Sequence, residues 1–149
     1  MEIDALETMK KTIFLAASMS FYKELIDVER QLEEKGFNVI IPVSAQLMKK
    51  TNDFDVTHYK GVQTNEQKGQ YIMTNFEKIA QSDAILVINN IKNGIEGYIG
   101  ANVLMEIGLA FYLKKNIYIW NQIKEDASYI EELLAFNVVY INNDLDKIQ

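Results

Sequence analysis

The chain has 149 residues, enough for one domain with a sizeable core, and its 48% hydrophobic and 24% charged residues are ordinary for a globular protein. Lys plus Arg total 15 against 21 Asp plus Glu, a net charge of −6. This excludes a basic stripe for a nucleic-acid polymer, though not a small anion held by backbone amides. With no cysteine and one histidine, His58, disulfides, thiol chemistry and a clustered-histidine metal site are also excluded, and the lack of cysteine fits a reducing, cytoplasmic location.

Met1 to Thr8 reads as a loose extension or an added helix turn. "MKKTIFLAAS" has an apolar part, Ile13 to Ala17, shorter than the ~7–15 residues of a signal-peptide core. No stretch reaches the ~18 apolar residues of a membrane span, so no membrane partner is expected. "TIFLAA" (Thr12–Ala17) is a strand. "FYKELIDVERQLEEKG" (Phe21–Gly36) repeats Leu25, Val28 and Leu32 at helical spacing, with Ser20 placed to cap it and Gly36 to stop it. "FNVIIP" (Phe37–Pro42) is the second strand. Val43 to Gln67 is polar and irregular, and long for a passive connection. "GQYIMTNFEKIAQSD" is a helix with Ile72, Phe76, Ile79 and Ala80 on one face. "AILVIN" (Ala84–Asn89) is a buried strand, and "NNIKNGIEGYIG" (Asn89–Gly100) a glycine-rich loop. Ala101 to Leu113 is an apolar helix. "NIYIWN" (Asn116–Asn121), "DASYIEELLAF" and "NVVYIN" (Asn137–Asn142) read as strand, short helix and last strand, and "NDLDKIQ" as a tail or final turn.

Strands and helices thus alternate, and the strands are continuously apolar, as in a parallel sheet covered on both faces. The expected fold is a single doubly wound α/β domain, flavodoxin- or Rossmann-like, of about five parallel strands in the order 2-1-3-4-5. Ligands bind at the carboxyl ends of strands one and three in that order, where the chain reverses direction. The loops there are Ala16–Phe21 and Asn89–Gly100.

The second loop leads into the apolar helix, whose single carboxylate is Glu106. Its neighbours three and four residues away are Asn102, Val103, Leu109 and Ala110, and none is basic. An unpaired buried carboxylate is costly and is relieved by a raised pKa or a specific partner. The plainer reading sends Glu106 to solvent or to a distant lysine; its place beside the expected crevice favours a functional role. Ser18 and Ser20 stand where a hydroxyl can hold a phosphate or sugar, or can simply cap the helix. Gly94, Gly97 and Gly100 form no GxGxxG fingerprint, and no phosphate-binding P-loop is present, so Gly97 and Gly100 are read as shaping the loop around a ligand. Asn75 looks by pattern like a polar surface position. Asp83 reads as a cap, Asp53, Asp55 and His58 as a solvated loop, and Tyr112, Tyr118 and Trp120 as packing.

The order "IFLAASMS…SDAILVINN…GYIGANVLMEIGLAFYLKKNIYIWN", over roughly Thr12 to Asn121, resembles the nucleoside 2-deoxyribosyltransferase superfamily, which includes the 2′-deoxynucleoside 5′-monophosphate N-hydrolases. "MEIGLAFYLKKNIYIW" is similar to that family's segment with its catalytic glutamate. The resemblance implies that Glu106 is the nucleophile at the anomeric carbon and that Ser18 holds the sugar or the 5′-phosphate. It places Phe14 where many members carry a tyrosine, Ala17 where a glycine is common, and Ser20 where the monophosphate hydrolases often place an arginine. Asn75 falls where the family has an aspartate, and Asn89 or Asn90 where it has an acid.

The expected activity is cleavage or transfer at the N-glycosidic bond of a nucleoside or nucleoside monophosphate. Glu106 and Asn75 are the candidate catalytic residues; Phe14, Ala17, Ser18, Ser20, Asn89, Gly97 and Gly100 are the candidate substrate contacts. No metal or organic cofactor is expected, and the apolar Glu106 helix points to a homo-oligomer, a dimer or higher. The alternatives are a nucleotide-binding sensor on the same fold, favoured by the asparagines at family acid positions, and a partner-binding domain without chemistry.

Overall fold

The structure, a computed structural model, describes residues 10–149, so the expected Met1–Thr8 extension lies outside the described residues. Five parallel strands form one sheet: β1 (Thr12–Ala17), β2 (Asn38–Ile40), β3 (Ala84–Ile88), β4 (Asn116–Ile119) and β5 (Val139–Tyr140), in the order β2-β1-β3-β4-β5. The strand order is the one the sequence predicts, although β2 and β5 are shorter than expected.

Successive side chains of a strand point to opposite faces, so a continuously apolar strand feeds two cores. Ile13, Leu15 and Ala17 of β1, with Ala84, Leu86 and Ile88 of β3, face α1 (Tyr22–Glu34) through Leu25, Val28 and Leu32. Phe14 and Ala16, with Ile85 and Val87, face the other way. There they meet Ile79 of α3 (Asn65–Ala80), Val103, Ile107 and Ala110 of α4 (Ala101–Tyr112), and Leu133 of α5 (Ile130–Ala135).

The segment expected to be irregular holds a helix, α2 (Val43–Thr51), and a 3-10 turn, Val56–His58. α2 is too short to stand on propensity. It is held by burial of Ala45 and Met48 in the α1-side core, and by Asn75 Oδ1, which accepts the Val43 N–H at 3.1 Å from 32 residues away. A local pattern cannot show either. α3 also begins earlier than its apolar face suggests, because Thr64 and Gln67 form a reciprocal capping box. Ser20 does not cap α1: it is exposed within the 3-10 turn Met19–Phe21, and Phe21 precedes the helix without a side-chain cap. Tyr118 is buried as expected, but Tyr112 is 78% exposed at the end of α4.

Among the described residues no helix is long and apolar enough to cross a membrane, and no group of three or more His, Cys, Asp or Glu could hold a metal ion.

Candidate active site

β1 and β3 are neighbours whose chains continue to opposite faces, and the crevice at their carboxyl ends opens into a cleft of about 540 Å³. Ala17 and Ser18 enter it from the end of β1, Tyr22 from the first turn of α1 and Ser44 from that of α2. Lys68, Tyr71 and Asn75 come from α3, and Gly100, Met105 and Glu106 from the start of α4. The segment Tyr59–Thr64 supplies the outer wall through Tyr59, Lys60 and Gln63.

Glu106 is 6% exposed, and its pKa is raised to about 8 by burial. Among the described residues no hydrogen bond or ion pair reaches its carboxylate, whose oxygens are not sealed in the core but open to the cleft. The helix puts it there because Val103, Ile107 and Ala110 occupy the core side of α4, leaving the next position round to face the cleft.

Ser18 precedes the 3-10 turn but makes no capping bond. Its hydroxyl instead accepts from Lys92 Nζ at 2.9 Å, and the same ammonium lies 4.9 Å from the centre of the Tyr98 ring. Since Ser18 Oγ accepts from Lys92, its own hydrogen is free to donate into the cleft. Lys92 is set by a two-residue turn: Lys92 and Ile95 bridge, and Asn93 and Gly94 between them both have positive φ, 52° and 76°. That is the Asn-Gly signature of a tight hairpin, a signal the sequence itself carries.

Asn75 spends its side-chain oxygen on Val43, so its NH₂ is the group available to the cleft. Tyr22 is buried, its phenol oxygen is 2.9 Å from Ser44 Oγ, and its pKa is pushed up to about 12 by burial, with the charge of Glu106 adding to the rise and the Ser44 bond opposing it. Sequence reasoning missed Tyr22 and Ser44. One reads as the edge of a helical pattern, the other as part of a polar loop.

Of the remaining expected contacts, Gly100 lines the cleft and the others stand elsewhere. Phe14 is fully buried in the sheet, on the face opposite Ile13 and Leu15. Ser20 points to solvent and does not line the cleft. Asn89 is fully buried beneath the loop: its Oδ1 accepts the Asn121 N–H at 2.8 Å, and its Nδ2 donates to Asn121 O at 2.9 Å and to Gly97 O at 3.5 Å. Gly97 has φ +63°, and a Cβ there would lie 2.8 Å from Gln122 O, so its requirement for glycine comes from the protein's own packing. Gly100 lines the cleft as the residue that opens α4. Asp83 is a structural clip, accepting the Thr12 N–H at 2.8 Å. Asp53, Asp55 and His58 form an exposed cluster of their own.

No protein-family model matches the chain, and no curated protein matches it significantly. Solved structures do. The chain is similar to a CMP N-glycosidase, BcmB, of Clostridium botulinum, with a TM-score of 0.52 and 21% identity over 88% of this chain and 87% of that one. It is similar also to a 2-deoxyribosyltransferase of Bacillus psychrosaccharolyticus, with a TM-score of 0.55 and 19% identity over 80% of this chain and 78% of that one. The fold is the one these two enzymes share. The strand order and the crevice between β1 and β3 are the parts of that fold on which the cleft described above is built.

Proposed function

We propose that this protein breaks the N-glycosidic bond of a nucleoside or nucleoside monophosphate, with Glu106 as the nucleophile. The observation that carries the reading is a buried carboxylate without a partner, on a cleft wall at the switch point of the sheet. A binding module has no evident use for so costly a group. In the first step a Glu106 oxygen forms a bond to the anomeric carbon as the carbon–nitrogen bond breaks, and the base departs with the electron pair and takes up a proton. In the second, water supplies a hydroxyl to the same carbon, a proton is released, and the carboxylate is regenerated; a second base in place of water makes the reaction a transfer.

Ser18, with its hydrogen free, and Asn75, with its NH₂ free, hold the sugar oxygens in this scheme, and Ala17 and Gly100 let the backbone come close. The cation behind Ser18 supports a 5′-phosphate on the substrate. The names of the structural neighbours, a CMP N-glycosidase and a 2-deoxyribosyltransferase, support the same bond as the target.

A homodimer is part of the proposal. Ala101, Met105 and Tyr112 are exposed along one stripe of α4, and Met73 is exposed on the neighbouring α3. Apolar side chains exposed together on helices beside a site are ordinarily covered, here by a second copy. Light scattering at micromolar concentration should give twice 17.2 kDa, and a 17.2 kDa species alone would remove this part.

The deciding experiment incubates the protein with a panel of nucleosides and monophosphates and follows free base by chromatography. Base release from at least one member is expected and should vanish in Glu106→Gln. Binding without release from any member would leave the second reading, a nucleotide sensor. Asn75 is the observation in its favour, because an amide cannot accept a proton as an aspartate would.

A further inference from the structure

In the proposed reaction the base takes up a proton as it leaves, and the cleft has to supply it. Asn75 is an amide and cannot. Attack by an oxygen on α4 sends the base off the opposite face of the anomeric carbon, away from α4. Of the remaining walls, the one built by β1 and α1 presents Ser18, which the sugar oxygens occupy in this scheme, so the base lies along α3. That helix shows the cleft a single stripe, Lys68, Tyr71, Ile72, Asn75 and Phe76, at the three- and four-residue steps that share one face. Asn75 is its inner, tethered end, and Lys68 lies two turns nearer the helix start, about 10 Å along the axis. Tyr71 stands between them and offers the kind of ring on which a base stacks.

The titratable groups on the cleft besides Glu106 are Tyr22, Tyr59, Lys60, Lys68 and Tyr71. Burial pushes the Tyr22 phenol up to about 12, so its proton is firmly held. Tyr59 donates its hydrogen to Asp53 O at 2.9 Å. Lys60 stands on the outer segment beside Gly61, at φ +70°, where no helix fixes its distance from Asn75. Lys68 has such a helix. No acid lies three or four residues from it, at Thr64, Asn65, Tyr71 or Ile72, and among the described residues its ammonium meets no hydrogen-bond or ion-pair partner. Lys78, further along α3, is by contrast spent on Ile41 O and Gln46 Oε1.

We propose that Lys68 is a catalytic residue of this reaction, the donor of the proton that the departing base takes up. As the carbon–nitrogen bond breaks, its electron pair passes into the ring of the base. A carbonyl oxygen or ring nitrogen at the outer edge of that ring then takes a hydrogen from the Lys68 ammonium. The base leaves neutral and Lys68 is left as the amine. The proton released when water opens the glycosyl ester in the second step restores the ammonium, and nothing is oxidised or reduced. The inference rests on the Glu106-nucleophile reading and adds the acid which that reading lacks.

The test compares leaving groups. Lys68→Met keeps most of the stem and removes the acidic hydrogen, at an exposed position where the fold does not depend on it. Substrates are paired by base: uracil against 5-fluorouracil, or guanine against 7-methylguanine, whichever ring wild type accepts. The substituted member of each pair departs with less need of a proton. Lys68→Met should lower kcat/KM for base release about a hundredfold with the unsubstituted base, and less than about threefold with the substituted one. Ethylamine added to Lys68→Ala should restore part of the rate with the unsubstituted base alone. Equal losses for both members overturn the proposal and leave the glycosidase reading standing. A loss that follows the 5′-phosphate and ignores the base also overturns it, because the ammonium then holds the phosphate. No base release by wild type from any substrate sinks both readings together.

Discussion

Lys92 Nζ meets Ser18 Oγ at 2.9 Å across 74 residues of sequence, joining the two loops that flank the switch point. The contact converts a serine from a helix cap into a donor with a cation behind it. It also gives the β3–α4 loop a stake in how the β1–α1 turn binds.

Lys92→Met should therefore weaken a nucleoside monophosphate more than the matching nucleoside. A charge-assisted contact contributes about 1.5–3 kcal/mol. Acting through Ser18, Lys92 should show the lower part of that range, roughly a tenfold rise in Kd for the monophosphate. Calorimetric titration of both ligands against both proteins checks it; equal losses for the two would mean that Lys92 only braces the loop.

Glu106→Gln should stabilise the fold, and increasingly so as pH rises. The carboxyl's pKa is raised by burial from 4.5 to about 8. Below the unfolded value both states carry the proton and the residue costs nothing. Between the two values the unfolded chain ionises while the folded one holds its proton, so stability drains away as pH climbs, and above about 8 the full cost is present. That cost is on the order of 5 kcal/mol. Chemical denaturation at pH 5, 7 and 9 should show wild type and variant nearly level at the first (about the unfolded pKa) and furthest apart at the last. A constant gap would mean that the carboxylate is already paired.

The same titration governs turnover in the proposed mechanism. Only the ionised carboxylate attacks, so log kcat/KM should climb with pH and level off above about 8, the value burial gives Glu106 in the free protein. A profile flat from pH 5 to 9 would contradict a carboxylate nucleophile with this environment.

Asn89→Asp should destabilise although it changes one atom. Nδ2 points at two carbonyl oxygens, those of Asn121 and Gly97, and a carboxylate would set a third acceptor against them in a fully buried place. A loss of about 2–4 kcal/mol is expected, read as a fall of several degrees in melting temperature. Gly97→Ala should also cost stability, and more than Gly94→Ala, because both have positive φ but only Gly97 faces a crowding atom. Equal melting temperatures for the two glycine variants would show that the Gln122 carbonyl yields freely.

Much of the sheet was legible from runs such as "TIFLAA" and "AILVIN", because a doubly buried strand writes its burial into every residue. Strand order followed from the alternation of elements and the rule of right-handed crossovers. Glu106 was legible for the opposite reason: it is the residue that breaks an otherwise apolar helix. α2 was not legible, since its first N–H is satisfied by Asn75 and its apolar side is too short to show a period. Nor was the division of labour among the asparagines: Asn75 faces the cleft, whereas Asn89 is a buried tie, and no local pattern distinguishes them. Tyr112 reads as core because aromatics recur there, yet the helix turns it outward at its last residue.

The Asn93-Gly94 turn that sets Lys92 has one further consequence. It is the chain's only Asn-Gly step, and both residues are exposed. An asparagine amide before glycine is unusually open to attack by the next backbone nitrogen, because no side chain shields it; the product is aspartate or its isomer. Ageing at Asn93 would thus set a fresh anion beside the ammonium that serves Ser18, and the isomer would lengthen the backbone inside a two-residue turn. The loop that tunes the cleft carries its own clock, and the protein's working lifetime is written at a different place from its folding stability.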